Sequence, residues 1–192
     1  MGSIRLTAAD GFSLSAYEVE PEGPTKGCVV VIQEVFGVND HIREVCNGYA
    51  TKGYHVVAPA IFDRFEPGVE LGYEQEDMMR GVGIARGELE MESTLQDIQA
   101  AITYLSDKGK VAVVGYCFGG LMTWMAASNL TGLACASSYY GGGIIEVNDE
   151  NLVSSCFIGN SKSSIVDSNH CQQISNNFFK SNKLSIYYLN LD

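Results

Sequence analysis

The stretch Val111-Ala112-Val113-Val114-Gly115-Tyr116-Cys117-Phe118-Gly119-Gly120, followed by the apolar run Leu121 to Ser128, constrains the fold more than any other part of this chain. A continuous β-branched run reads as a strand buried on both faces, the kind found in parallel sheets covered by helices. Here the strand passes into a helix through a turn of pattern G-x-C-x-G. A nucleophile on such a strained turn stands proud of the sheet, and the flanking glycines remove side chains that would collide there. Cys117 then sits at a helix N-terminus, where the helix dipole favours the thiolate and predicts a lowered pKa. Backbone N–H groups at that end, beginning with Phe118, are placed to receive a developing oxyanion. The plainer alternative is a buried cysteine in a tight turn whose glycines serve packing alone.

The rest of the chain fits the same architecture. Ile4–Thr7 and Ser13–Glu18 alternate around the turn signal Asp10-Gly11, and Cys28–Ile32 is a second continuous β-branched run. Asp40 to Lys52 reads as a helix closed by Gly53, and His55–Ala58 as a strand stopped by Pro59. Asp63 to Glu90 reads as irregular, with a helix around Gln75–Arg86. Ser93-x-x-Gln96 is a capping box for a helix carrying Leu95, Ile98, Ile102 and Leu105. Leu133–Tyr140, Val153–Ile158 and Leu184–Leu189 are further strands, with a helix near Asp167–Ser181. Strands alternating with helices predict an α/β fold with a doubly wound, mostly parallel sheet.

The length of 192 residues, 46% hydrophobic and 18% charged, predicts a single domain over 1–192. Within it, Ser and Asn supply 17 of the 46 residues from 147 to 192, while 20 of the 21 glycines lie before 147. Twelve Lys and Arg against 23 Asp and Glu give a net charge of −11, which repels phosphate backbones and anionic lipid and disfavours nucleic-acid and membrane partners. No apolar run reaches the roughly 18–20 residues of a membrane span, and the first ten residues lack an export signal. Six cysteines without C-x-x-C spacing predict reduced thiols and a cytoplasmic setting. No spaced Cys/His set asks for a metal, Gly81-x-Gly83-x-x-Arg86 follows no strand and is no dinucleotide loop, and no cofactor is expected.

At the end of the strand Cys28–Ile32 stands Gln33-Glu34-Val35-Phe36-Gly37-Val38-Asn39. In an open parallel sheet the carboxyl ends of strands face the binding crevice. Glu34 is thereby a candidate neighbour of Cys117, and the Val35 N–H a candidate second oxyanion donor; alone, the segment would read as a solvated loop. Together, Gln33–Asn39 and Gly115–Gly120 resemble the dienelactone hydrolase family of the α/β-hydrolase fold. Asp10-Gly11, Ala58-Pro59, Tyr139-Tyr140-Gly141 and the Ser93–Leu105 helix are similar in spacing, so the resemblance covers roughly Ile4 to Gly143.

The resemblance implies a Cys117 nucleophile, a Glu34 that holds the resting thiol and takes its proton, and an oxyanion hole at Val35 and Phe118. It also implies an arginine gripping a substrate carboxylate, with Arg80 and Arg86 as candidates. Where the family carries the triad Asp, this chain has Lys162, and the family His and last helix are expected beyond Asp192. His41 and His55 read as structural, and Asp167-x-x-His170 as a solvated helix face. Tyr139, Tyr140, Tyr187 and Tyr188 read as strand packing.

Two readings result. In one, a cysteine hydrolase of small esters or lactones acylates faster than it deacylates. In the other, a degenerate relative serves as a binding or thiol-sensing protein, or the chain is a truncated product. A missing last helix would expose apolar sheet surface and favour a homodimer.

Overall fold

The computed structural model describes residues 2–144 and 157–160. Its elements run β1 (Gly2–Thr7), β2 (Ser13–Val19), β3 (Cys28–Ile32), α1 (Asp40–Ala50), β4 (His55–Pro59), α2 (Gln75–Gly83), α3 (Met91–Leu105), β5 (Val111–Tyr116), α4 (Phe118–Asn129), β6 (Leu133–Tyr139) and β7 (Phe157–Asn160). The strands form one sheet in the order β1-β2-β4-β3-β5-β6-β7. The β1–β2 and β2–β4 pairs are antiparallel and the others parallel. The expected α/β architecture with a mostly parallel sheet is therefore present, with an antiparallel hairpin at one edge. The predicted strand Leu184–Leu189, the helix near Asp167–Ser181, residues 153–156, Lys162, His170 and the final-helix position lie outside the described residues.

Side-chain alternation along the central strands builds two cores, one on each face of the sheet. Val30, Ile32, Val57, Val111 and Val113 pack with Ile98, Ile102 and Leu105 of α3 and with Met122 and Ala126 of α4. Val29, Val31, Val56, Ala58, Ala112 and Val114 point the other way, onto Ile42, Cys46 and Ala50 of α1. This double burial is why β3 and β5 are apolar at every position rather than at every second one.

Three local expectations change. The capping box at Ser93 does not form. α3 begins at Met91 after Glu90, Thr94 N–H already reaches the Glu90 carbonyl at 3.0 Å, and the Ser93 hydroxyl contacts the Glu90 carboxylate instead. Met91 packs against the core, so burial moves the start two residues upstream of the polar signal. α1 closes at Ala50 rather than Lys52, with Gly53 in the left-handed region (φ +96°) donating to the Ala50 carbonyl. Pro59 ends β4 from inside the strand, paired with Ala16.

An ionic link, buried at Asp97 and exposed at Asp10, ties the edge hairpin to the rest. Arg64, in a short 3-10 turn (Ile61–Arg64), donates to both carboxylate oxygens of Asp97 on α3, each at 2.8 Å, and to Asp10 in the β1–β2 turn at 2.8 Å. Asp97 is fully buried, and desolvation pushes its carboxyl up to about 6 despite Arg64. Among the described residues no helix is long and apolar enough to cross a membrane.

Candidate active site

Cys117 lies between β5 and α4 with φ 54° and ψ −117°, a left-handed conformation that non-glycine residues rarely adopt. Such strain persists only where the surroundings enforce it, and it marks functional sites. Here the surroundings are the sheet and the helix. The Cys117 N–H donates to the Tyr139 carbonyl at 3.0 Å, and its own carbonyl accepts from Gly120 at 2.9 Å. The flanking glycines are forced. A Cβ on Gly115 would lie 2.0 Å from the Gly119 carbonyl oxygen, and one on Gly119 would lie 2.4 Å from that of Ile32. The second contact seats the first turn of α4 directly on the end of β3, where Gln33-Glu34-Val35 begins.

Of the described cysteines, Cys28, Cys46 and Cys135 are buried and Cys117 is half-buried. Burial pushes the Cys117 thiol above its ordinary value; the Phe118 backbone N–H and the Arg86 charge pull it down, and the Glu34 charge pushes it further up. The lowered pKa expected from the helix N-terminus is therefore overturned. Desolvation and the neighbouring carboxylate outweigh the amide and guanidinium, and the resting group is a neutral thiol.

The β3–β5 ladder, with Ile32 opposite Gly115, sets Glu34 and Val35 beside the turn. Glu34 is half-buried and accepts a hydrogen bond from the Tyr140 hydroxyl at 2.9 Å. Tyr140 corrects the strand-packing expectation. Tyr139 does pack in β6, stacked on Tyr116 at 5.0 Å, but Tyr140 lies one residue past the strand at φ 39° and 49% exposed. Burial, then the Glu34 charge, raises its phenol well above the ordinary value, so it remains a donor. The signal available in the sequence was its place immediately before Gly141-Gly142-Gly143, where a strand must end.

The two candidate arginines separate. Arg80 is exposed and donates to Glu66 at 2.9 Å. Arg86 lies in a π-helical turn (Ile84–Glu88) that continues α2, and its charge acts on Cys117. π-turns inside helices are frequent at functional sites. His41 rests edge-on to Tyr73, and His55 Nε2 pairs with Glu18 at 2.8 Å, in keeping with structural roles. Spacing alone gave no metal set, yet folding brings Glu18, Glu20 and His55 together, with ligand atoms within 4.8 Å of one another. That cluster sits at the N-terminal edge of the parallel strands, and Glu18 there already accepts from both His55 and the Tyr104 hydroxyl.

A parallel sheet with a strained strand-to-helix turn at the C-terminal end of a central strand defines the α/β-hydrolase fold. The chain belongs to the dienelactone hydrolase family, whose family model matches residues 14–186. The match thus extends beyond Gly143 into the Ser/Asn-rich portion. The chain is 31% identical over 145 residues to the carboxymethylenebutenolidase of Pseudomonas putida, covering 73% of this chain and 61% of that protein. It is likewise 31% identical over 147 residues to carboxymethylenebutenolidase 1 of Cupriavidus pinatubonensis, covering 73% and 62%. A relative from Synechocystis sp. is 39% identical over 121 residues, which are 60% of this chain and 48% of that one. The chain therefore spans about half to three-fifths of the length of these curated relatives. A dienelactone hydrolase-like promiscuous phosphotriesterase from metagenomic libraries shares the fold at TM-score 0.63 and 18% identity, covering 95% of this chain and 78% of its own.

Proposed function

We propose that this chain carries the acylating half of a cysteine hydrolase acting on small esters or lactones. The observation that carries the reading is Cys117 held at φ 54° on the strand-to-helix turn, with Glu34 and the Phe118 amide around it. The membership in a family whose relatives are named carboxymethylenebutenolidases supports the same chemistry. Glu34 takes the Sγ proton as sulfur attacks the carbonyl carbon, and the N–H groups of Val35 and Phe118 receive the oxyanion. The intermediate collapses to a thioester, and the departing alkoxide takes the proton back from Glu34. Water then attacks the thioester and gives one proton to Glu34, which passes it to the departing sulfur, releasing the carboxylic acid and restoring the thiol. Among the described residues Arg86 is the cation whose charge acts on Cys117, which favours substrates with a carboxylate beside the scissile bond.

A thiol-sensing role is disfavoured by the same electrostatics, because a sensor needs a stabilised thiolate and burial here raises the thiol. A disfavoured thiolate is also a poor leaving group, so thioester hydrolysis lags acylation. Mixed with p-nitrophenyl acetate, the protein is expected to release about one equivalent of nitrophenol in a burst, followed by a slower steady rate. Cys117→Ala removes the burst. A burst retained in Cys117→Ala, or none in the parent, overturns the reading.

A further inference from the structure

We propose that Gly81, on α2, is a positioning residue for the oxyanion hole, acting by backbone contact with Val35; the inference rests on the reading of Val35 as an oxyanion donor. Gly81 is buried, and a Cβ there would lie 1.8 Å from the Val35 carbonyl oxygen, 2.9 Å from its carbonyl carbon and 3.2 Å from its Cβ. Backbone meets backbone at this contact, so no flexible side chain can yield. Two residues on, Gly83 has nothing within 4 Å of its would-be Cβ. One helix thus carries two glycines, of which only the first is sterically required.

Other contacts make the Val35 segment a clamped strip rather than a free loop. The Phe36 carbonyl accepts from Leu71 N–H at 2.8 Å, and Gly37 forms a β-bridge with Glu70. From the first turn of α4, Gly119 presses on the carbonyls of Ile32 and Gln33. Residues 32–37 are held between the first turn of α4 and the excursion that links β4 to α3. The excursion thus has two tasks. Its π-turn carries Arg86, whose charge acts on the thiol, and Gly81 fixes the height of the peptide that offers the Val35 N–H. Displacing reacting groups by about 1 Å costs on the order of 10²-fold in rate.

The test compares Gly81→Ala with Gly83→Ala in the full chain. Gly81→Ala is expected to slow the p-nitrophenyl acetate burst by about 10²-fold with little change in apparent KM. It is also expected to speed amide exchange in peptides covering residues 33–37. Alkylation of Cys117 by iodoacetamide should be unchanged across pH, because that reaction forms no oxyanion; unfolding would accelerate it. Gly83→Ala should leave all three readouts at parent values. Equal exchange in the two variants overturns the clamp. Faster exchange with an undiminished burst overturns its role in positioning. A parent protein with no burst overturns the Cys117 reading itself, and the role of Gly81 falls with it.

Discussion

Glu34→Gln is expected to make Cys117 more reactive toward iodoacetamide and less reactive toward esters. The two effects separate because the proposed mechanism gives Glu34 a second task beside its charge. Its charge raises the thiol pKa, so removing that charge shifts the alkylation profile to lower pH. In the parent, burial holds the pKa above the ordinary thiol value. The alkylation rate should therefore still be climbing, about tenfold per pH unit, where a free cysteine has levelled off. In the proposed acylation step Glu34 is the base, and on that reading its loss should slow the ester burst by about 10²–10⁴-fold. Stopped-flow bursts and alkylation rates over pH 6–10 read both effects on the same protein. Tyr140 donates to the carboxylate it holds; a glutamine oxygen can accept the same hydrogen bond, so the variant isolates charge from geometry. If alkylation and acylation slow together, Glu34 does not act through its charge on Cys117.

Arg64→Met should lower stability by about 3–5 kcal/mol at neutral pH, because it strands a buried carboxylate. Asp97 is 0% exposed and its two oxygens are both engaged by Arg64, whose side chain is itself only 14% exposed. The pH dependence has a definite sign. The folded Asp97 carboxyl holds its proton up to about pH 6, while its unfolded counterpart releases it near 3.8. Its contribution to stability is therefore complete at low pH and falls as pH rises across that window. Without Arg64 the folded carboxyl holds its proton to still higher pH, so the variant's deficit should shrink as pH is lowered from 7 to 5. Urea melts of Arg64→Met, Asp97→Leu and the double variant close a cycle. The double variant should recover most of the loss, since removing both partners leaves no charge stranded. A double variant as unstable as Arg64→Met alone would show that packing of the guanidinium, including its stacking 4.5 Å over Phe12, carries the effect.

The fold was legible where residues answer to both faces of the sheet at once. Cys28–Ile32 and Val111–Val114 are apolar throughout because each is covered by helices on either side, and their shortness and β-branched content mark them as strands. The strained turn at Cys117 was legible for a comparable reason: its glycines are dictated by contacts with nearby residues or with an adjacent strand end. What the sequence hid depends on distant neighbours. Nothing near Tyr140 announces Glu34, and nothing near Arg64 announces Asp97 or Asp10. Gly81 belongs to no recognisable motif, and only its contact with the Val35 backbone explains it. The thiol pKa runs opposite to the expectation because a helix N-terminus is visible in sequence, while the depth at which it is buried is not. Ser93 does not cap the helix because packing of the partly buried Met91 against the core outweighs a polar cap.

The ladder that pairs Ile32 with Gly115 has a consequence for how the protein comes into being. β3 and β5 adjoin in the sheet, yet the chain between them holds α1, β4, α2 and α3. Closing so long a loop is slow compared with forming helices, which need only local contacts. The two proposed oxyanion donors, Val35 and Phe118, lie on opposite sides of that pairing and share no neighbourhood before it forms. During refolding, helical signal should thus return well before the capacity to be acylated, and acylation serves as a clock for the last long-range contact to close.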